Sequence, residues 1–295
     1  MVMAKADLAA LLALAAAFFI AVGDVIHQRS AHDVTDESVG HLELFVRLLK
    51  DGRWWLGSGV AAAGFVCQAA ALGLGSVLLV QALLVTSLLF ALPINASLSH
   101  RRVTRWEWMW AALLAGAVAV IVTIGNPTEG HSRASLETWI WVAVVLGPVL
   151  ALCLVGARIR SGPTSAVLMA VVSGALWGLF AVLTKAVVHR LDVTSLAGVV
   201  ELVRTPELYA WAVVGILGTS TQQASFRAGA LTASLPTMTV TEPMVACALG
   251  VVVLGETLRP GEAGWITLIA AVAVMVVATA ALARGEAAGR DPAIV

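Results

Sequence analysis

From Trp54 to Ser99 the chain carries no aspartate, glutamate, lysine or arginine. A water-soluble domain keeps roughly a quarter of its residues charged, so a run of this length excludes most soluble folds. It is also too long for one membrane crossing, which takes about 20 apolar residues. Gly73-Leu74-Gly75 offers a tight turn between two crossings. The whole chain agrees: 60% of its 295 residues are hydrophobic, 12% are charged, and the mean hydropathy is +0.93. The sequence therefore predicts an all-α membrane protein, because backbone in lipid must satisfy its own hydrogen bonds.

Nine segments are long and apolar enough to cross: 7–28, 54–74, 77–99, 107–125, 138–157, 164–188, 208–227, 232–254 and 263–284. Residues 32–53 and 190–208 are long connections. Each holds an amphipathic piece, HLELFVRLLK and AGVVELVRTPEL, expected to lie along the membrane surface. The second is apolar enough to allow a short tenth helix. With nine spans, Lys and Arg collect about two to one on one side, which places the N-terminus outside and the C-terminus in the cytoplasm. Most of the ten Trp residues fall at span ends, as an aromatic belt does. Lys5 and the first apolar run lack a small-residue cleavage site after them, so the run reads as a retained span of a cell-membrane protein.

Net charge is zero, so no basic field points to nucleic acid. Cys67, Cys153 and Cys247 lie inside apolar runs and read as small hydrophobes. There is no Gly-rich phosphate loop, no Cys/His metal spacing and no nucleophile elbow. The expectation is a non-enzyme without cofactor or metal. Its partners are the bilayer and a small-molecule or ion substrate, with a homodimer left open.

The two halves of the chain resemble each other. Setting Gln68 of CQAAALGLG on Gln223 of QQASFRAGA also aligns Val85-Thr86 with Val240-Thr241 and places Ser87 opposite Glu242. The first span matches the sixth, with His27 or Gln28 near Lys185, and the fourth matches the ninth. The fifth has no partner, and one unpaired crossing inverts the second half. The organisation read from this is a first repeat over 1–126, a linker with span five over 127–163, a second repeat over 164–284 and a cytoplasmic tail over 285–295. Inverted repeats are a common plan of secondary transporters, with the site at the repeat interface.

Three stretches carry a family resemblance: WWLGSGVAAAGFVCQAAALGLGSVLLVQALLVTSLLFALP, SGALWGLFAVLTK and SLPTMTVTEPMVACALGVVVLGETL. The chain resembles the drug/metabolite transporter superfamily, within it the branch of NIPA-type magnesium transporters and related bacterial EamA-like proteins. The pattern Glu242, Pro243, Gly250, Gly255, Glu256 is typical of that superfamily's penultimate helix. The resemblance implies nine or ten helices in two inverted halves working by alternating access. NIPA-type proteins usually carry an acid after a glycine in the second span. Here Phe65 follows Gly64, which speaks against magnesium, an ion normally held by carboxylates.

Glu242 is the leading site residue, a lone acid near mid-span followed by Pro243, which frees the Thr239 carbonyl. It reads as a proton- or cation-binding carboxylate, or as a structural partner of Lys185 or Arg227. Asp24 is expected about four residues from the end of its span, paired with Arg227 as a helix lock or inner gate. His27 could titrate near neutral pH. Lys185 reads as a snorkelling cation or an anchor for an anionic solute. Gln68, Gln222, Gln223, Thr86 and Thr241 are candidate cavity-lining residues, against the plainer reading of interhelical glue and self-bonded hydroxyls. Trp177 could stack on a ligand or simply pack. Pro93 is expected to kink span three. The function these readings support first is secondary transport of a small metabolite, drug-like compound or ion. Alternatives are a NIPA-like divalent-cation carrier, and a non-transporting protein that handles lipid or binds a partner.

Overall fold

The computed structural model describes residues 4–35, 52–98, 102–191, 196–228, 231–261 and 264–288. The amphipathic piece at 41–50 and the end of the tail lie outside them. The described chain is helical. Helix α1 is Lys5–Thr35, α2 Gly52–Leu74, α3 Val77–Leu84, α4 Ser87–Leu98 and α5 Arg105–Thr123. The second half holds α6 Leu136–Ile159, α7 Pro163–Val188, α8 Leu196–Val203, α9 Pro206–Ala228, α10 Leu231–Leu254 and α11 Gly264–Ala288. Two short strands, β1 (Pro127–Thr128) and β2 (Thr257–Leu258), pair antiparallel.

Among the described residues eight stretches are long and apolar enough to cross a membrane, counting α3 and α4 as one. The ninth expected crossing is present as the 23-residue helix α9, but its second half, Thr219-Ser220-Thr221-Gln222-Gln223, is too polar to qualify. Helix α8 has eight residues and rises about 12 Å, too short for a tenth crossing.

Span three is broken. Its backbone tightens into three-residue turns, with Thr86 N donating to Leu83 O (3.0 Å) and Leu89 N to Thr86 O (2.9 Å). The interruption falls at Val85-Thr86 and not at Pro93, which sits inside α4 with helix continuing on both sides. The break lies seven residues or more ahead of Pro93, at a place the sequence did not single out for a kink.

Helix α1 packs along α2 and against α3 and α4; α7 packs along both α9 and α10. Helices α5 and α11 pack together, α3 meets α10, and the unpaired α6 touches mainly α7. The core is built from small and branched residues: Ala9, Ala13, Ala71, Leu72, Val80, Val182, Ala246 and Leu254 are all nearly inaccessible. Small side chains let helices approach closely where no hydrophobic effect drives them together.

Candidate functional site

Glu242 is placed by a close crossing of α7 and α10. A Cβ on Gly174 would come 3.0 Å from the Met238 carbonyl and 3.1 Å from Glu242 N; one on Gly178 would come 2.7 Å from the Glu242 carbonyl. Two glycines one turn apart therefore bring the backbones into contact where the acid projects. The residue as a whole is half-buried, and the charge of Asp24 on α1 is within electrostatic range of its carboxylate. Asp24 itself is exposed. The structure thus brings an acid of each half of the chain into electrostatic range, although the sequence put them at different depths. Asp24 lies two residues from the end of the apolar span Lys5–Ile26, as expected, although the helix itself continues to Thr35.

The other expected site residues divide. Arg227 ends α9 exposed, and among the described residues no ion pair joins it to Asp24, so the expected helix lock is not formed. Thr86 Oγ1 donates to Leu83 O at the α3–α4 break, and Thr241 Oγ1 to Thr237 O within α10. Trp177 does not stand free in a cavity; its Nε1 donates to Gln222 Oε1 at 3.1 Å and its ring meets Phe180 edge-on. Gln68 is half-buried on α2 and Gln223 exposed on α9. His27 lies on α1, with its side chain outside the described residues.

Lys185 is the largest correction. It neither snorkels nor partners Glu242: it is 1% exposed and its Nζ donates to Glu256 Oε1 and to the Gly75 carbonyl, both at 2.8 Å. Gly255, at φ 65°, turns the chain out of α10 and sets Glu256 there. The same carboxylate accepts from Val77 N (2.8 Å) and Leu78 N (3.0 Å), while Ser76 Oγ accepts from Leu79 N. These bonds satisfy the free amides at the start of α3, where the helix dipole favours an anion. In the sequence, Glu256 stands out only through the family pattern it completes. The available signal was a lysine and a glutamate at matching depths in adjacent spans.

Beside this network, β1 and β2 are joined by Thr128 Oγ1 and Thr257 Oγ1 at 2.7 Å, and Arg133 donates to Glu207 at 2.7 Å. Glu207 lies just ahead of segment 208–227. Burial works to raise its pKa, but Arg133 outweighs it and holds the carboxyl below its usual value. A lowered folded pKa contributes stability above the ordinary carboxylate range, which is lost as pH falls through the folded value. Acidification from neutral to about pH 3 should therefore lower the melting temperature, and Arg133→Gln should flatten that dependence while costing at most about 1 kcal/mol, since Arg133 is part-exposed. A melting curve with the same acid slope in both forms would contradict this.

A protein of Corynebacterium glutamicum described as uncharacterized is 38% identical over 287 residues, which span 94% of this chain and 95% of that one. The chain belongs to that protein's family. The match runs nearly end to end, so it takes in both Asp24 and Glu242 of this chain and its Lys185–Glu256 network. No protein-family profile matches the chain, and no solved structure matches it.

Proposed function

We propose that the protein is a secondary transporter of the drug/metabolite type, moving a small metabolite, drug-like compound or ion across the cell membrane by alternating access. The observation that carries this reading is Glu242 set at the close crossing of α7 and α10, with the charge of Asp24 on α1 in electrostatic range. Membrane-embedded acids are expensive and mark ion or substrate paths. Among the described residues, neither Lys185, committed to Glu256, nor Arg227 neutralises Glu242. Three further features support the reading. The α3–α4 break and Pro243 face one small crevice through Val85 and Val240, and discontinuous helices are typical of transporter sites. Helix α9 is polar where a lipid-facing helix would be apolar. The contacts α1 with α2 and α7 with α9, and α5 with α11, suit two inverted halves.

The divalent-cation alternative stands beside it because Asp24 and Glu242 offer oxygen, the ligand type Mg2+ takes. Proteoliposomes loaded with a pH-sensitive dye separate the two. Adding amines, amino acids or sugars in turn should move protons for one of these classes. Mg2+ uptake with no proton movement would transfer the assignment to the alternative. Vesicles indistinguishable from protein-free ones in both assays would remove both.

A further inference from the structure

We infer that Lys185 and Glu256 form a releasable latch that holds one end of the bundle shut. The Lys and Arg count assigns that end to the outside. The inference rests on the transporter reading above and adds residues that reading does not use. The network joins three pieces that must separate if this end is to open: the α2–α3 turn of the first half, the last turn of α7, and the α10–β2 connection. Both side chains are sealed, at 1% and 0% exposure. Val188 closes the same seam, since a Cβ on Gly73 would come 2.9 Å from it. At the opposite end, Asp24, Gln223 and Arg227 are exposed.

The chemistry suits a latch better than a permanent brace. A buried ion pair is a weak source of net stability, because each ion gives up its hydration to form it. Apolar packing of the same volume would hold the end shut at least as well. An ion pair has a second state that apolar packing lacks. When the end opens, ammonium, carboxylate and the freed α3 amides all regain water, which offsets the loss of their mutual bonds. The closed state is fully satisfied, with Val77, Leu78 and Leu79 amides all partnered. The open state is hydrated. Only intermediate geometries leave charge unpaired, and this is the profile of a two-state element.

The test reads accessibility, not flux. Cys67, Cys153 and Cys247 are replaced by Ala. Single reporters are then placed as Val77→Cys, inside the sealed end, and Gln223→Cys, on the exposed face of α9. Each is labelled in membranes with an impermeant maleimide from either side. Glu256→Gln, and separately Lys185→Met, should raise the Val77→Cys rate about tenfold and lower the Gln223→Cys rate, as a shift between two states requires. An unchanged rate at Val77→Cys overturns the latch. So does a rise there without a fall at Gln223→Cys, which would mark simple loosening. On the unsubstituted chain, hydrogen exchange over residues 75–80 should exceed that at the Gly174–Gly178 crossing; equal protection also overturns it. Neither measurement involves Glu242, so the failure of the transport reading and the failure of the latch remain distinguishable.

Discussion

Glu242→Gln is expected to bring solute-driven flux down to that of protein-free vesicles while the protein stays monodisperse and melts close to wild type. Gln keeps the volume and the hydrogen-bonding reach of Glu, so the α7–α10 crossing, which rests on Gly174 and Gly178, is undisturbed. What it removes is the ability to hold a proton or a cation. Stability should not fall. The acid has a like charge, Asp24, as its electrostatic neighbour, so neutralising it relieves repulsion instead of orphaning a partner. This contrasts with Lys185, whose loss strands Glu256 in a dry site. Asp24→Asn should weaken transport less steeply, because Asp24 is exposed near the end of its span whereas Glu242 is half-buried near mid-span. The measurement is counterflow in proteoliposomes beside a melting curve. Wild-type flux in Glu242→Gln would sink the assignment of the site. Lost flux with a collapsed melting temperature would make Glu242 structural.

The crossings were legible because hydropathy acts along one dimension. Segment 164–188 became α7, Pro163–Val188, and 232–254 became α10, Leu231–Leu254, almost unchanged. Helix ends and partners were less legible. Asp24 does lie near the end of its apolar span, Lys5–Ile26, but the helix continues to Thr35 through polar residues. Continuation costs nothing once a helix has left lipid, so polarity marks the membrane boundary and not the helix end. The Lys185–Glu256 pair was missed for a related reason. Each residue lies near the end of an apolar stretch, where a cation can snorkel and an acid can face headgroups. Only the folding of residues 75–77 across both shows that neither meets water. Likewise, Pro93 drew attention within span three, but the interruption at Val85-Thr86 has no sequence signal as strong as a proline.

Gly178→Val should be strongly damaging to both fold and flux. The added Cβ would lie 2.7 Å from the Glu242 carbonyl and 2.8 Å from Ala246 N, with Val245 Cβ at 3.1 Å. Two of these are main-chain atoms of α10 and cannot swing aside as a side-chain tip would. The helices must separate, and α7 is also packed against α9, with the Trp177 ring lying against Gly218. Overpacking typically costs 1–3 kcal/mol, and about 3 kcal/mol or more is expected here because backbone, not rotamers, must move. The displacement falls on Glu242 itself, so residual folded protein should also lose flux. Gly178→Ala should show the same direction with smaller size. Gly147→Ala on α6 is the matched control: a Cβ there meets nothing within 4 Å, and alanine is the better helix former by up to about 1 kcal/mol. Thermal unfolding in detergent decides the matter. If Gly178→Val melts with Gly147→Ala, the two helices do not cross as closely as described, and the placement of Glu242 against Gly174 and Gly178 falls with it.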